Sequence, residues 1–362
     1  MAVGSWYTPG SNARARPLAE RWNGRKWMVE SFPSPTISSE AYVLSTGIDC
    51  ANATRCIAVG RYQIGTSHSW AFAEAWNGRR WSTTGTVNPI FNPFNSFYGV
   101  SCPQPDFCIA VGDSGARTLV ERWNGVSWHV LSSANPPYPK SSQESPQLDS
   151  VSCVSPSDCV ASGSTYHYGF DSTSFRQWGG MAALAEQWNG ATWSIMPSPN
   201  HEVGANRDNT LPAVACTGAT KCVAVGSFAR TSGIGLPIGA VAGTTLTEEL
   251  NGSTWKIVPS PPTWRYSDFY GLSCVQAHCV AVGGQARTRR PLTPHGSPLA
   301  ERWNGTSWSI MHAVDQPGVI SLRAISCAQA SDCMAVGSNQ KTAISELWSG
   351  GTNWRFVPIA KP

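Results

Sequence analysis

The chain repeats one eight-residue motif seven times. The motif reads Glu-x-Trp-Asn-Gly-x-x-Trp or a close variant, and its copies start at Glu20, Glu74, Glu121, Glu186, Glu248, Glu301 and Glu346. A repeated unit of this kind must bury its apolar face against its neighbours, so the repeat determines the architecture. Residues present in every copy are interpreted as scaffold. Function is therefore sought in the residues that differ between copies.

The cysteines follow the same repeat. All 12 fall into six close pairs, which are Cys50/Cys56, Cys102/Cys108, Cys153/Cys159, Cys216/Cys222, Cys274/Cys279 and Cys327/Cys333. The first cysteines of successive pairs lie 52, 51, 63, 58 and 53 residues apart, and a period near fifty is typical of a four-stranded propeller blade. Five or four intervening residues favour disulfides across a hairpin over zinc sites. Six disulfides predict an oxidising, extracellular or cell-surface location.

Short apolar runs that end at a glycine, such as 109–112, predict β-strands, and no stretch has helical periodicity. We predict four strands in each repeat. Strand one ends at the first cysteine, strand two runs from the second cysteine to the glycine, strand three carries Leu-x-Glu-x-Trp, and strand four starts at the closing Trp. The Asn-Gly pair between strands three and four predicts a hairpin loop of either two or four residues.

The predicted fold is all-β: a seven-repeat β-propeller with four-stranded antiparallel blades in one domain, 1–362. The sequence of residues 1–5 matches residues 334–338 in strand two of the last repeat. The first blade is therefore expected to be incomplete, without its first strand, and we expect the native protein to extend upstream with an export signal. The repeats lie at approximately 1–30, 31–83, 84–130, 131–196, 197–258, 259–311 and 312–362.

The motif aromatic and acidic residues are assigned to the scaffold. Thirteen of the 17 tryptophans occupy the two motif positions, where packing between sheets explains them. In strand three, alternation places Leu299, Glu301 and Trp303 on one face. A buried carboxylate repeated in this way is expected to accept hydrogen bonds between strands rather than to form a catalytic ring.

Several families resemble this chain at these motifs. The Gly-x-x-Trp register, as at Gly24 to Trp27 and Gly305 to Trp308, resembles the Asp-box hairpin of sialidase-like propellers, although Glu301 and Trp303 replace the Asp-box Ser and Asp. The period is similar to that of kelch repeats, without a repeated double glycine. The cysteine pairs and the Trp-Asn-Gly motif resemble secreted repeat proteins of actinobacteria across essentially the whole chain. That resemblance implies a propeller and no particular activity.

Composition excludes several classes of function. Charged residues make up 13% of the chain and the net charge is +4, without the basic stripe that nucleic-acid binding requires. No apolar run is long enough for a membrane span. The histidines are scattered, and neither HExxH, a nucleophile elbow nor a phosphate-binding glycine loop is present. We expect no metal, no cofactor and a monomer.

Aromatic residues in the variable loops are the predicted ligand-binding residues, because loops on a rigid scaffold commonly bind. They are Trp6, Tyr7, Tyr62, Tyr166, Tyr168, Trp178, Trp264 and Tyr266. Aromatic planes suit sugar rings, and they suit protein partners equally well.

The sequence therefore favours a non-catalytic extracellular binding module for carbohydrate or a cell-surface polysaccharide. A protein–protein interaction scaffold shares all of these features. The other alternative is an extracellular, sialidase-like glycoside hydrolase, in which Tyr266 would act with Asp268 or Glu202.

Overall fold

The computed structural model describes residues 1–7, 14–36, 38, 41–65, 68–89, 92–136, 142–171, 176–201, 207–231, 240–287, 296–314, 321–338, 342–351 and 353–360. Within strands, it places only the backbone at 142–143, 168–171, 176–178, 230–231 and 240–242. Every helix or strand found in these ranges is a β-strand. No membrane-spanning helix therefore occurs in this part of the chain.

The 27 described strands form seven units, numbered here in chain order. Unit 1 has three strands, β1 (Ala2–Tyr7), β2 (Ala15–Trp22) and β3 (Trp27–Glu30). Units 2 and 3 are β4 (Tyr42–Asn52), β5 (Arg55–Gln63), β6 (Ser69–Trp76), β7 (Trp81–Thr84), β8 (Asn95–Gln104), β9 (Phe107–Ser114), β10 (Thr118–Trp123) and β11 (Trp128–Val130). Units 4 and 5 are β12 (Ser142–Ser155), β13 (Asp158–Asp171), β14 (Arg176–Trp188), β15 (Trp193–Met196), β16 (Arg207–Gly218), β17 (Lys221–Thr231), β18 (Ala240–Asn251) and β19 (Thr254–Ile257). Units 6 and 7 are β20 (Tyr266–Val275), β21 (His278–Ala286), β22 (Gly296–Trp303), β23 (Trp308–Met311), β24 (Ser321–Gln329), β25 (Asp332–Ser338), β26 (Ala343–Trp348) and β27 (Arg355–Val357).

Each unit is an antiparallel meander, which confirms the prediction of four-stranded antiparallel sheets for units 2 to 7. Single parallel residue pairs, Met181 with Asp208 and Gly243 with Tyr266, join units 4, 5 and 6 edge to edge. The first strands of consecutive units from β4 to β24 contact one another. These first strands therefore converge around a common axis.

The six predicted disulfides are all formed, each between strands one and two of its unit. They are Cys50–Cys56, Cys102–Cys108, Cys153–Cys159, Cys216–Cys222, Cys274–Cys279 and Cys327–Cys333. In unit 2 the strands run past the cysteines, because Asn52 pairs with Arg55 and leaves a two-residue turn. Six cross-strand disulfides are consistent with an extracellular location.

The second cysteine of each pair is part of the buried core. These residues are at most 3% exposed, and they are Cys56, Cys108, Cys159, Cys222, Cys279 and Cys333. They pack with the apolar residues between units, as Cys108 does with Phe97 and Cys159 does with Leu148. These cysteines therefore have the structural role that the sequence predicts for them.

The Asn-Gly loop occurs in both predicted lengths. In unit 2, Trp76 pairs with Trp81 and the loop holds four residues. The Asn77 side-chain oxygen accepts hydrogen bonds from the N–H groups of Arg79 and Arg80, both at 3.0 Å, and Gly78 has a φ of +91°. In unit 5 the strands continue to Asn251 and Thr254, which leaves two loop residues.

Apolar clusters lie between adjacent units. Phe97 of unit 3 is fully buried against Ile57 and Val59 of unit 2, and Trp128 belongs to the same cluster. Equivalent clusters recur around the chain. The last and first units also meet, because Trp27 Nε1 donates a 2.9 Å hydrogen bond to Ser345 Oγ. The units therefore close into a ring.

Five of the seven motif glutamates connect neighbouring units through hydrogen bonds, in keeping with their scaffold assignment. Glu121 accepts hydrogen bonds from the N–H groups of Val87 at 3.1 Å and Asn88 at 3.4 Å, both in the segment that follows unit 2. Glu186 accepts a 2.7 Å hydrogen bond from Ser133 Oγ, in the segment that follows unit 3. Burial raises the pKa of both carboxyls, and these hydrogen bonds oppose the shift.

Candidate functional site

The predicted aromatic residues of the first two units form two contacts. Tyr7 is 55% exposed, and its hydroxyl lies 2.8 Å from that of Tyr42. Tyr62 is half-buried and stacks on Trp70, with ring centroids 5.2 Å apart. Trp6 is half-buried in β1. Of these residues, Tyr7 is the most accessible to a ligand.

The predicted residues of units 4 and 6 lie elsewhere on the ring. Tyr166 in β13 is 41% exposed, while the side chains of Tyr168 and Trp178 lie outside the described residues. Trp264 carries the Arg287 guanidinium 4.7 Å above its ring. Tyr266, the first residue of β20, is half-buried. Among the described side chains, no ring contact joins these residues to the first two units, so the predicted set is distributed around the ring.

A second set of residues marks the axis, and sequence reasoning did not find it. The first strand of units 2 to 7 has a bulge four residues before its first cysteine, which in unit 5 also includes the fifth residue before it. The register passes over Thr46, Tyr98, Asp149, Leu211, Pro212, Tyr270 and Arg323 in the six units. The neighbouring scaffold positions are nearly constant, whereas these positions vary in size and charge. They are therefore the positions at which we expect residues that recognise a ligand.

Two of these residues, Tyr98 and Asp149, together with Arg61 of β5 and Asp113 of β9, form what we call the axial arc. Arg61 Nη1 lies 3.5 Å from the Tyr98 hydroxyl, which also bonds to the Asp113 carboxyl. Asp113 and Asp149, from neighbouring units, are close enough for their charges to interact. The arc thus spans three adjacent units with a cation, a phenol and two carboxyls in sequence.

The carboxyls of the axial arc are enclosed. The pKa of Asp149 is raised to about 7, mainly by burial and to a smaller extent by the Asp113 charge, while a 2.7 Å hydrogen bond from Gln147 opposes the shift. Burial likewise raises the pKa of Asp113. The Asp113 Oδ1 atom is buried and has no hydrogen-bond partner within the described structure. A buried acceptor without a partner is costly in the free protein, and a ligand donor would remove that cost.

A smaller group, the Tyr270 cluster, occupies equivalent positions in units 6 and 7. The Tyr270 hydroxyl lies 3.4 Å from Asp268 Oδ2, and the Arg323 guanidinium lies 4.1 Å above the Tyr270 ring. Burial and the Asp268 charge raise the Tyr270 pKa to about 12. The aspartate that the sequence paired with Tyr266 therefore contacts Tyr270 instead.

Grooves also lie between the disulfide hairpins of adjacent units. One groove of about 400 Å³ lies between units 5 and 6 beside Cys222 and Trp303. Another of about 290 Å³ lies at the equivalent place between units 2 and 3 beside Cys56 and Trp123. Because matching scaffold positions line both grooves, they are interpreted as a consequence of the repeat. The axial arc remains the better candidate site.

Comparisons with known proteins find similarity to solved structures only. No protein-family model and no curated protein sequence matches the chain. Similar solved structures include YCF48 bound to a D1 peptide, with 9% identity, 89% of this chain and 85% of that one covered, and a TM-score of 0.49. The structure of YjhT has 10% identity, coverage of 86% and 96%, and a TM-score of 0.48. A mutant of the α-L-arabinofuranosidase arb93a from Fusarium graminearum, in complex with an iminosugar inhibitor, has 12% identity, coverage of 85% and 93%, and a TM-score of 0.44.

All three of these structures are β-propellers, the class indicated by the closed ring of antiparallel sheets. Similarity at this level concerns the fold alone. Function has to be argued from the residues of this chain.

Proposed function

We propose that this chain is a seven-bladed β-propeller in one domain, 1–362, in which β1 to β3 form a blade without a first strand. Three observations support the count. The sequence repeats seven times, each repeat corresponds to one unit, and the bond from Trp27 to Ser345 links the last unit to the first. No helix or second core interrupts the series within the described ranges.

We infer that the protein is a non-catalytic extracellular binding module whose favoured ligand is a carbohydrate, bound at the axial arc. The observation that carries this proposal is the arc itself, in which two first-strand bulge residues, Tyr98 and Asp149, lie beside Arg61 and Asp113 of the second strands. Sugar hydroxyls both donate and accept hydrogen bonds, so they match a site that alternates guanidinium, phenol and carboxyl groups. The unpartnered Asp113 Oδ1 would accept one such hydroxyl.

The exposed aromatic residues extend the proposed site outward. Tyr7 and Tyr166 have free ring surface for a sugar face or an apolar side chain. Trp264 is less available, because Arg287 covers one face of its ring. The predicted roles of Tyr168 and Trp178 remain part of the proposal. In this arrangement the arc supplies orientation and the outer aromatic residues supply contact area.

A glycoside hydrolase is the second candidate, and one observation favours it. Burial raises the pKa of Asp149 to about 7, with a second carboxyl, Asp113, close enough to interact with it, and a general acid requires a carboxyl of raised pKa. A sialidase-like mechanism with a tyrosine nucleophile is less well supported, because the pKa of Tyr270 is raised to about 12 rather than lowered. Binding without turnover thus fits the described residues better.

The proposal is tested by screening the oxidised protein against a glycan array and insoluble polysaccharides while assaying released reducing sugar. Retention without release is expected. Arg61→Ala and Asp113→Asn should each weaken retention by about tenfold or more, since each removes a hydrogen-bonding group of the arc. Arg55→Ala is the matched control, because Arg55 is exposed at the other end of the same strand, β5.

Three outcomes would contradict this assignment. Release of reducing sugar that Asp149→Asn abolishes would replace the binding module with the hydrolase. Retention that neither arc variant changes would place the site elsewhere. The absence of both retention and release would reject carbohydrate and favour a protein partner.

A further inference from the structure

Side chains that vary between units decide whether the space between adjacent disulfide hairpins is filled. Between units 3 and 4, Phe107 occupies this space, since it is 6% exposed and packs in one cluster with Cys159 and Trp188 of unit 4. The Arg122 guanidinium lies 5.1 Å from the centroid of the Phe107 ring. The chain therefore fills this space with an aromatic ring of its own.

The equivalent space between units 2 and 3 is an open groove of about 290 Å³. Arg55 precedes the second cysteine of unit 2, as Phe107 does in unit 3, and its side chain is exposed. Ala75 precedes the tryptophan of strand three, where unit 3 has Arg122, and a methyl group leaves the groove unfilled. We propose that this groove is a second ligand site, separate from the axial arc, and that it binds one aromatic ring of a small molecule in the place of Phe107.

The aromatic wall of this groove is incompletely covered. Trp123 lines the groove and is half-buried, whereas its counterparts Trp188 and Trp348 are 4% and 1% exposed. Between units 6 and 7, the Arg302 guanidinium lies 5.4 Å from the centroid of the Trp348 ring. Ala75 has the position of Arg302 in the open groove, and its side chain is too short for this contact. Trp123 therefore has ring surface for a planar group that the chain does not supply.

The other walls of the groove suit an aromatic ring better than a charged group. Ala51 and Ala75 are half-buried and pack against the apolar cluster between units 2 and 3. No carboxylate occurs among the described residues that line the groove, and the charge of Arg55 disfavours a cation there. A ring placed against Trp123 gains from offset or edge contacts in addition to the area that it buries. The class of ligand is therefore a neutral or anionic aromatic compound.

The size of the groove limits the ligand to about one ring. A volume of about 290 Å³ lies at the lower limit of small-molecule pockets. The chain itself fills the equivalent space between units 3 and 4 with a single phenyl ring and one guanidinium. A compound of one ring therefore matches the groove in both volume and shape.

The first probe is p-cresol, which has the ring and hydroxyl of a tyrosine side chain. We expect saturable binding to the oxidised protein, measured by calorimetry. The control ligand is 4-methylcyclohexanol, the saturated analogue of the same size. It should bind at least about threefold more weakly, because a puckered ring cannot stack on Trp123.

Two protein variants locate the binding. Ala75→Arg introduces the residue that units 3 and 6 have at this position, so its guanidinium should cover Trp123 as Arg302 covers Trp348. We expect this variant to bind p-cresol at least about tenfold more weakly and to keep or raise the Tm of the free protein. Gln187→Arg is the matched control, because Gln187 is the equivalent residue of unit 4. It adds the same side chain and charge away from the groove, and its affinity for p-cresol should be unchanged.

Four results would overturn the proposal. They are no saturable binding of p-cresol, equal binding of the saturated analogue, unchanged binding by Ala75→Arg, and an equal loss in Ala75→Arg and Gln187→Arg. A Tm of Ala75→Arg well below that of the unmodified protein would also reject it, because the spaces between units 2 and 3 and between units 6 and 7 would then not be equivalent. The polysaccharide screen tests the axial arc, so either proposal can fail without the other.

Discussion

Raising the pH from about 5 to about 8 should destabilise this protein, because its motif glutamates are buried. Burial raises the pKa of Glu20, Glu74, Glu248, Glu301 and Glu346 from 4.5 to about 7. Between these values the folded state holds protons that the unfolded state has lost. Stability is therefore greatest near or below pH 4.5 as far as these groups are concerned, and it falls as the pH rises through 7.

The magnitude can be worked for one group. Glu248 is 1% exposed, and its two carboxyl oxygens lie 2.9 and 3.0 Å from Ser198 Oγ, which can donate to only one of them at a time. A rise from 4.5 to about 7 corresponds to about 3 kcal/mol of unfolding free energy lost above pH 7, at about 1.4 kcal/mol per pKa unit. Glu248→Gln removes the titrating carboxyl, so the slope of unfolding free energy against pH should become less steep by up to about 1.4 kcal/mol per pH unit.

Urea unfolding followed by tryptophan fluorescence, at intervals from about pH 4.5 to about pH 8, measures this slope. Glu249→Gln is the matched control for removing one negative charge, because Glu249 is the next residue of β18 and points to the opposite face. Unfolding free energy that stays level or rises across this range would refute the argument. An equal change of slope in both variants would show that Glu248 has no special role.

Three further predictions concern the scaffold. Glu121→Ala should lower the unfolding free energy by about 1–3 kcal/mol, because it leaves two backbone N–H groups without their acceptor; full stability in urea titration would contradict the scaffold role. Gly112→Ala should cost about 3 kcal/mol or more, because the new methyl group would clash with the Ser96 carbonyl and lie 2.9 Å from Phe97 Cα; a soluble variant with unchanged Tm would show that the strands separate easily. Replacing Cys274 and Cys279 by Ser should lower stability by about 2 kcal/mol in the chain-entropy description; an unchanged urea midpoint would assign the stability of unit 6 to packing alone.

Much of the fold could be predicted because the same strand and turn motifs occur in seven copies. The cysteine pairs predicted the disulfides, and the Ala-Val-Gly ends of strand two marked the strands. The length of the Asn-Gly loop could not be predicted, because the motif Asn can take either of two hydrogen-bonding roles. Asn77 caps a four-residue loop with its side chain, whereas Asn251 continues the strand ladder. Local sequence does not decide between these hydrogen-bonding choices.

The candidate site could not be predicted in the same way. Tyr98 and Asp149 occur in ordinary strand sequence, 51 residues apart, and nothing local indicates that they approach one another. A bulge in each first strand places them at a common level, and convergence of the strands brings adjacent units together. Comparing the copies at constant distance from the first cysteine would have shown the variation.

The motif glutamates show why a residue that recurs in every unit is structural in this protein. The segments that follow units 2 to 6 donate to the motif glutamate of the next unit, as Val314 N–H does to Glu346 at 2.9 Å. Unit 2 is different: the segment after unit 1 has Pro33, which has no N–H, preceded by Phe32, which has no hydroxyl, whereas Ser198 and Ser260 donate at the position of Phe32 before units 5 and 6. Glu74 accepts a bond from Thr83 of its own unit instead. One Glu74 oxygen is left without a partner in the described structure. The carboxylate is thus retained even where its donor has changed, as expected of a residue fixed by burial between sheets. Residues that change while their position stays fixed, such as those of the axial arc, are the ones that can specify a ligand.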